Sequence, residues 1–317
     1  MMTTETPTTR AGFAALVGRP NVGKSTLLNT ILDQKVAIVS HRPQTTRNRI
    51  LGVRTRGNDQ VVILDTPGIH RRRANINRFM VREAFDALDG ADVVVLITEV
   101  DPKRIHASVG ETSAKAVLHP ADDYVVSQVR ERSGNTPLIL VINKIDLIRD
   151  RQGLLPLMSE WAERGFDRIV PISARHGEGV DLLFDELAAS MPQGPLLYPE
   201  DMVTDRAERF LAAEMIREQV FVQCREEIPY ATAVEIERFE ERHDRGDVHI
   251  DATIYVERET QKAIVVGAKG ARIKEIGTLA RQEIARLLGC LTHVKLTVRV
   301  STDWTRSVAA RRRFGYE

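Results

Sequence analysis

Residues 13–25 read Phe-Ala-Ala-Leu-Val-Gly-Arg-Pro-Asn-Val-Gly-Lys-Ser, and this stretch decides the fold. Its second half, Gly18 to Ser25, matches GxxxxGK[ST], a pattern in which backbone N–H groups hold phosphate oxygens at a helix N-terminus. An apolar run precedes the pattern and the helical KSTLLNTIL overlaps its end, which is the context that the motif requires. We therefore expect a P-loop, with Lys24 supplying charge to the β- and γ-phosphates and the Ser25 hydroxyl available to Mg²⁺.

The pattern around this motif predicts the architecture of residues 11–190. Short apolar runs such as VVILDTPG, ADVVVLITEV and TPLILVINKID alternate with amphipathic stretches such as GVDLLFDELAASM. Continuous apolar runs are typical of parallel strands that helices cover on both faces. This part of the chain is predicted to be a doubly wound α/β domain with a mostly parallel sheet, and residues 1–10 a flexible tail.

The C-terminal third predicts a second, smaller domain. The Pro-containing stretch MPQGPLLYPED at 191–201 interrupts both patterns and is expected to be a linker. Residues 202–303 then predict helix, two strands, short helix, a GAKG turn, long helix and strand, which is an α+β order. Residues 304–317 are expected to form a basic tail.

Composition limits the classes of function. The 317 residues suit two compact units, and their two cysteines, without a CxxC or a His/Cys cluster, support neither a disulfide framework nor a zinc site. No apolar run is long enough for a membrane span, and the N-terminus lacks the apolar centre of a signal peptide, so a cytosolic protein is expected. The net charge of +1 hides a segregation: residues 201–257 carry 15 acidic and 7 basic residues, whereas 258–317 carry 5 and 13. A basic segment favours nucleic-acid binding, although a solvated charged face would also explain the charge.

Three further motifs follow strands of the first domain and complete a predicted guanine nucleotide site. Asp65-Thr-Pro-Gly68 would place a carboxylate near Mg²⁺, although DxxG alone is also a common turn sequence. In Asn143-Lys-Ile-Asp146, the last carboxylate can accept hydrogen bonds from guanine N1–H and the 2-amino group, donors that adenine lacks, which argues against an ATPase. Ser173-Ala174 would contact the guanine oxygen. The predicted GTP-binding residues are Gly18, Arg19, Pro20, Asn21, Val22, Gly23, Lys24, Ser25, Thr26, Asp65, Thr66, Pro67, Gly68, Ile69, Asn143, Lys144, Ile145, Asp146, Ser173 and Ala174.

The segment Pro43-Gln-Thr-Thr-Arg47 is interpreted as a switch that closes over the nucleotide. Thr46 is the expected Mg²⁺ ligand beside Ser25 and Asp65, Thr45 is the alternative, and a polar surface loop is the other interpretation. The residue after DTPG is Ile69, where Ras-like enzymes place a water-orienting glutamine. Intrinsic hydrolysis is therefore expected to be slow.

The segment from Ile264 to Gly277 contains a GxxG turn between two predicted helices, the signature of a KH domain. The order of elements predicts a type II KH domain that binds about four nucleotides of single-stranded RNA. A turn without an RNA role is the alternative. An indole and four arginines in 304–313 would extend the contact by stacking, or would form a solvated helix. The predicted RNA-binding residues are Gly267, Ala268, Lys269, Gly270, Arg272, Ile273 and Lys274.

The pairing of GRPNVGKST, QTTR, DTPG, NKID and PISA with PEDMVTDR, VEIERF, YVERETQK and GAKGARIKEIG resembles the Era family of GTPases along nearly the whole chain. The resemblance implies a K⁺ ion held over the phosphates by Asn21, with catalytic roles for Asn21, Lys24, Thr46 and Gly68; a role of Asn21 in capping the loop is the alternative. Residues 101–135 look longer than the family usually shows, and Ala268 stands where a larger residue is common.

The same resemblance implies a monomeric GTPase that binds GTP and GDP, contacts small-subunit ribosomal RNA near its 3′ end and assists 30S assembly. It further implies a cytoplasmic protein with partial association with the inner membrane. Two other interpretations stay open at this point: a nucleotide-gated RNA scaffold that hydrolyses little GTP, and a GTPase whose second domain binds protein.

Overall fold

The computed structural model describes residues 9–40, 42, 45–69, 75–102, 119–149 and 151–316, with the backbone alone at 75–78 and 120. By their contacts, the described residues divide into two units. The first takes its residues from Met1–Gln34, Asn48–Arg71 and Met80–Asp205, and the second from Lys35–Arg47, Arg72–Phe79 and Arg206–Glu317. Each unit has its own sheet and its own apolar core.

The first unit is built on a six-stranded sheet with the order β2-β3-β1-β4-β5-β6. Strand β2 pairs antiparallel with β3, and the other neighbours pair parallel, as predicted for a doubly wound domain. The strands are β1 (Arg10–Gly18), β2 (Ile50–Arg56), β3 (Asp59–Asp65), β4 (Val93–Glu99), β5 (Leu138–Asn143) and β6 (Arg168–Pro171).

Helices cover both faces of this sheet because its central strands are apolar on both sides. Helices α1 and α5 contact β1 and β3, whereas buried side chains of α3 and α4 join the cluster that contains Ala15 of β1, Val94 of β4 and Leu140 of β5. The helices are α1 (Lys24–Leu32), α2 (Asn75–Asp86), α3 (Pro120–Ser133), α4 (Leu154–Ala162) and α5 (Val180–Ser190).

Strand register gathers the motifs at one edge of the sheet. Leu16 of β1 lies opposite Asp65, the last residue of β3. Gly18 lies opposite Ile97 of β4, and Glu99 at the end of β4 lies opposite Asn143 at the end of β5. The carboxyl ends of parallel strands are where open α/β sheets bind ligands, so this edge is the place to look for a site.

The second unit has a three-stranded sheet with the order β7-β8-β9, in which β8 pairs antiparallel with β7 and parallel with β9. Alternate residues of β8, from Val248 to Val256, enter a core with α6 and with Ile276, Ala280 and Ile284 of α8. The elements are α6 (Glu208–Gln223), β7 (Ala233–Arg242), β8 (Asp247–Val256), α7 (Glu259–Val266), α8 (Ala271–Leu288), β9 (Leu291–Val300) and α9 (Val308–Arg313). This is the predicted order of a type II KH fold.

The structure differs from the predicted boundaries at three places. Arg10, expected in the tail, begins β1 and pairs with Asp59. The first unit extends past the predicted linker to Asp205, because the Val203 carbonyl accepts from Val53 N–H at 2.8 Å and Thr204 Oγ1 donates to the Leu51 carbonyl at 2.6 Å. Residues 304–316 pack into the second unit instead of forming a separate tail.

Two sequence expectations concern residues outside the described ranges: most of the predicted tail at 1–8, and residues 103–118 in the segment expected to be longer than usual. Among the helices in the described ranges, none combines the length and the apolar character that a membrane crossing requires.

Candidate nucleotide site and RNA interface

Two glycines allow the P-loop, which connects β1 to α1, to pack closely against its neighbouring loops. Gly23 has φ +101°, and a Cβ there would lie 2.2 Å from Nδ2 of Asn143. Gly68, in the loop after β3, lies so close to Pro20 that a Cβ would fall 2.7 Å from the proline nitrogen. Neither position has space for a side chain, so the P-loop, the DTPG loop and the NKID loop are packed against one another.

Lys24 lies buried in the P-loop. Its Nζ donates to the Gly18 carbonyl at 3.2 Å and to the Arg19 carbonyl at 3.0 Å. Burial lowers the pKa of Lys24 to about 8, and the charge of nearby Arg19 lowers it further, against the opposing effect of Asp65. The ammonium is therefore poorly compensated in this structure, and an anion bound in the P-loop would stabilise its charge.

Ser25 lies in the first turn of α1, and its Oγ donates to Oδ2 of Asp65 at 2.7 Å. The neighbouring Thr66 is buried and donates through Oγ1 to the Leu16 carbonyl at 2.6 Å, which fixes the DTPG loop against β1. A hydroxyl and a carboxylate thus lie side by side at the N-terminus of a helix. Oxygen donors of this kind are the ligands that Mg²⁺ prefers.

Asn143 connects three loops of the site. Its Nδ2 donates to the Val22 carbonyl of the P-loop at 2.7 Å, and its Oδ1 accepts from the N–H groups of Lys144 and Ala174 at 2.7 and 2.9 Å. The side chain is buried, so each of these bonds is protected from water. The amide therefore sets the position of the NKID loop relative to the P-loop and to the Ser173-Ala174 loop.

Asp146 is held by Ser173, whose Oγ donates to Oδ1 of the carboxylate at 2.6 Å. Lys144 has φ +65° and donates through Nζ to the Asn21 carbonyl at 2.8 Å and to Glu99. Asn21 itself has φ +68° and is exposed. The carboxylate, the lysine stem and the P-loop backbone are thus held in fixed relation by hydrogen bonds.

The predicted switch segment falls in the second unit, apart from Pro43 and Gln44, which lie outside the described residues. Thr45 and Thr46 are both buried, Thr45 Oγ1 donates to the Arg42 carbonyl at 2.8 Å, and Arg217 of α6 donates to the Thr45 carbonyl at 2.5 Å. Arg47 is buried as well and donates to carbonyls of the loop before β7. The surface-loop interpretation is wrong for these residues, and the role of Thr46 as an Mg²⁺ ligand stays a prediction.

The predicted KH turn connects α7 to α8. Gly267 has φ +73° and ψ 175°, a conformation open in practice to glycine alone, and a Cβ there would lie 2.8 Å from the Cβ of Arg272. Ala268 and Lys269 are exposed at the tip, and Gly270 caps α8 with φ +79°. The turn thus presents backbone N–H groups at a helix N-terminus, beside the basic side chains of Lys269, Arg272 and Lys274.

A groove of about 290 Å³ follows this turn along α8 and β9. Its floor is apolar, with Val294 and Leu296 of β9, and a Cβ added at Gly277 of α8 would lie in ordinary contact with Leu296, at 3.4 Å. Its walls carry the cations of Lys274 and Arg281. The lining residues are Ile273, Lys274, Gly277, Thr278, Arg281, Val294 and Leu296. An apolar floor with basic walls fits an unstacked base whose phosphates lie outside the groove.

Comparison with known proteins identifies both units. A family described as 50S ribosome-binding GTPase matches residues 13–144, and a KH domain family matches residues 227–305. GTPase Era of Syntrophus aciditrophicus is 45% identical over 308 residues, which cover 97% of this chain and 95% of that protein. GTPase Era of Xylella fastidiosa (strain M12) is 45% identical over 316 residues, covering 99% and 100%.

The chain belongs to the Era family.

Two solved Era structures have the same fold over 97% of this chain. Aquifex aeolicus Era, with a point substitution and bound to GDP and AlF₄⁻, is 38% identical, with a TM-score of 0.87 and 97% of this chain covered. A structure of Era in complex with MgGDPNP and nucleotides 1506–1542 of 16S ribosomal RNA is 38% identical, with a TM-score of 0.88 and the same coverage. The resemblance and the fold class predicted from the sequence are confirmed.

Three features of this Era family member were not predicted. Arg19 of the P-loop forms an ion pair with Asp122 of α3 at 2.5 Å, and Glu99 pairs with Lys144; no motif marks either acidic residue. The groove lining on β9 was missed too, although the alternation of apolar residues in this strand could have indicated it. The interpretation of the Trp304 indole as a base-stacking group is wrong, because the ring is buried and its Nε1 donates to the Ala231 carbonyl at 2.8 Å.

Proposed function

We propose that this chain is a GTP-hydrolysing switch protein that binds single-stranded RNA of the small ribosomal subunit near its 3′ end and assists 30S assembly. The observation that carries the nucleotide half is the Asn143 side chain, which joins the guanine loop to the P-loop through Val22 and Ala174. A site so connected binds base and phosphates as one ligand. Support for the RNA half comes from the groove beside the GxxG turn and from the Era relative that was crystallised with a 16S fragment.

Guanine is selected by Asp146 in this proposal. The carboxylate, held by Ser173, accepts from guanine N1–H and the 2-amino group, whereas adenine would leave a desolvated charge without donors. Lys144 covers the base with its stem while its ammonium stays on the Asn21 carbonyl. ATP is rejected by the cost of burying that unsatisfied carboxylate.

The phosphates are bound by the backbone N–H groups from Gly18 to Ser25 and by the Lys24 ammonium. Ser25 Oγ and Asp65 fit an Mg²⁺ ion, since both offer oxygens and they lie 2.7 Å apart, and Thr46 is the further ligand we propose. When bound, the ion neutralises charge on the β- and γ-phosphate oxygens. Gly68 leaves its backbone N–H available to the γ-phosphate.

We propose that GTP hydrolysis is slow unless a further cation is bound. Ile69 is buried, its N–H donates to the Gly18 carbonyl at 3.1 Å, and its side chain offers no group that could orient water. We propose that Asn21, exposed in a left-handed conformation above the loop, holds K⁺ in the manner implied by the family resemblance. The test is turnover in potassium against sodium buffer: equal rates contradict the K⁺ site, and Asn21→Ala is expected to remove any preference.

RNA binding uses the GxxG turn for the phosphates and the groove for the bases. Lys269, Arg272 and Lys274 extend the positive charge of the α8 N-terminus, while Ile273 contributes to the apolar lining that takes an unstacked base. The polar rim and the small volume favour a single strand over a duplex. We further propose a monomeric, cytoplasmic protein with partial peripheral association with the inner membrane.

The test of the coupled function is GTP hydrolysis in potassium buffer with and without a single-stranded RNA that copies the 3′ end of small-subunit ribosomal RNA. Acceleration by RNA is expected, and Lys269→Ala combined with Lys274→Ala should reduce it while basal turnover stays unchanged. RNA that binds without changing turnover favours the alternative function, a nucleotide-gated RNA scaffold. RNA that does not bind contradicts the proposed ligand of the KH domain.

A further inference from the structure

Two histidines and an aspartate meet on the open face of the second sheet, away from the groove. Asp247 and His249 are alternate residues at the start of β8, and β9 brings His293 into register directly opposite His249. Alternate residues of a strand point to the same face, so all three side chains share the side of the sheet opposite the core residues Val248 and Ile250. His249 and His293 are 44 positions apart in the sequence, so no local pattern indicated the cluster and the sequence supported no zinc site.

The distances in the cluster are those of a metal site. Oδ2 of Asp247 lies 3.3 Å from Nε2 of His249 and 3.5 Å from Nε2 of His293. The two imidazole rings stack with centroids 4.4 Å apart, and the three potential ligand atoms all lie within 4.8 Å of one another. Ligand atoms at bond lengths of about 2.0–2.1 Å around a tetrahedral ion lie about 3.4 Å apart. Small adjustments of the imidazole rings would complete that arrangement.

A second observation indicates a cation at this place. The side chain of Asp247 is only 9% exposed, and its Oδ1 is buried without a hydrogen-bond donor among the residues that the structure describes. A buried carboxylate oxygen without a partner is costly. His249 and His293 are 29% and 50% exposed, so an ion could reach the three groups from the solvent.

Neighbouring charges leave the cluster available. Glu240, opposite His249 on β7, is paired with Arg238 and with Arg242 at 3.7 Å. Arg242 is the register partner of Asp247, yet its guanidinium is directed to Glu240 and does not neutralise the aspartate in this structure. The carboxylate of Asp247 therefore has the two imidazoles as its nearest charged or ionisable partners in the described part of the chain.

We propose that Asp247, His249 and His293 bind a divalent transition-metal ion of the zinc class. Imidazole nitrogens favour Zn²⁺ over Mg²⁺ and Ca²⁺, and two imidazoles with one carboxylate are a common ligand set for zinc. Three protein ligands leave one position for water or for a donor from a partner. The ion would connect β8 to β9 at the end of the sheet where both strands begin, and would stabilise that pairing.

The experiment is zinc titration of the full-length protein, saturated with GDP and excess Mg²⁺ so that the nucleotide site does not compete, against a chromogenic zinc chelator. We expect one zinc ion per chain and a Tm that rises with zinc concentration. Loss of a ligand in His249→Asn or His293→Asn should weaken binding by about 100-fold or more. His243→Asn removes an exposed histidine from the same hairpin that is not in the cluster, and should bind as tightly as the unaltered protein.

Cobalt provides a test that needs no substitution, since Co²⁺ in a tetrahedral site with imidazole ligands has intense visible absorption and hexaaqua Co²⁺ does not. The proposal is overturned if the unaltered protein binds no zinc beyond what the His249→Asn/His293→Asn double variant binds. It is equally overturned if His243→Asn loses binding as fully as His293→Asn, or if bound Co²⁺ has only the octahedral spectrum. GDP affinity and thermal unfolding of each variant without zinc show that it is folded; His293 is half exposed, so its replacement is tolerated.

Discussion

Nucleotide binding should be coupled to protonation of Lys24, and the structure gives the size of the effect. The pKa of Lys24 is lowered to about 8 by burial, from an ordinary 10.5. Phosphate oxygens beside the ammonium favour its charged form and should return the pKa to 10.5 or above. Well below pH 8 the lysine is protonated with and without nucleotide, so affinity is nearly independent of this group; as the pH rises through 8, binding takes up an increasing fraction of a proton.

The magnitude follows from the pKa difference. At pH 8.5, about three quarters of the Lys24 side chains are neutral without nucleotide, so GDP binding should take up about 0.75 proton; at pH 7.0 the uptake should be about 0.1. The contribution of Lys24 to GDP affinity should fall by up to about tenfold per pH unit from pH 8 to 10.5, about 3.4 kcal/mol in total, and the assay stays at or below pH 8.5, where guanine N1–H is still largely protonated. The phosphates of GDP contribute little, because their last ionisation lies near pH 6.

The assay is isothermal titration calorimetry of GDP·Mg²⁺ at pH 7.0 and 8.5, each in two buffers of different ionisation enthalpy, which yields the number of protons exchanged. Lys144→Met is the matched control, because this second lysine of the site is 33% exposed and its ammonium pairs with Glu99, so its loss should leave the uptake at pH 8.5 unchanged. An equal proton count at the two pH values would refute the reasoning, since it would mean that Lys24 is fully charged before nucleotide binds.

Three further substitutions test other parts of the structure. Asn143→Ala leaves the Val22 carbonyl without its donor, at a cost of about 1–3 kcal/mol, and should weaken GDP and GTP alike by about 10- to 100-fold in fluorescent nucleotide titrations; unchanged affinity would contradict the connecting role of the amide. Gly267→Ala forces a Cβ onto Arg272 and should weaken single-stranded RNA binding at least tenfold by fluorescence anisotropy, with GDP affinity unchanged as the internal control. Trp304→Ala should destabilise the second unit by about 3–5 kcal/mol in chemical denaturation, since the indole is fully buried; a loss of RNA affinity without a loss of stability would revive the stacking interpretation.

The sequence predicts those parts of the fold and the site whose signal lies in residues close together in the chain. The P-loop, Asp65 at the end of β3 and Asn143 at the end of β5 each follow an apolar run directly, so a pattern of neighbours is sufficient to place them. The GxxG turn is local in the same sense, because Gly267 and Gly270 adopt their left-handed conformations within a single connection.

Features that depend on the pairing of distant strands could not be predicted. The bond from Asn143 to Val22 spans 121 residues and requires β1, β4 and β5 to be neighbours in the sheet. The same holds for the ion pair of Arg19 with Asp122, and for the meeting of His249 with His293. Sequence separation of this size leaves no periodic signal.

Trp304 shows the opposite error, in which a local pattern misled. An indole close to several arginines resembles a nucleic-acid contact, but the ring lies in the interior, between Phe314 and Tyr316 and below the guanidinium of Arg47. Burial of one aromatic ring depends on partners that a short segment does not contain. Arg47 is a similar case: it belongs to the predicted switch segment, but nothing in that segment indicates that its side chain is buried against the Thr232 carbonyl.

The packing of residues 35–40, 42 and 45–47 determines how this protein can be shortened. A truncated protein that ends before α6 would keep every nucleotide motif, but it would lack Glu218 and Arg217. Glu218 accepts from Lys35 and from the Val39 N–H, and Arg217 donates to the Thr45 carbonyl. The loop in which Thr46 resides would then lose its anchors. Nucleotide exchange and hydrolysis rates measured on such a fragment would describe an untethered loop, and only the full-length chain reports the enzyme as it is built.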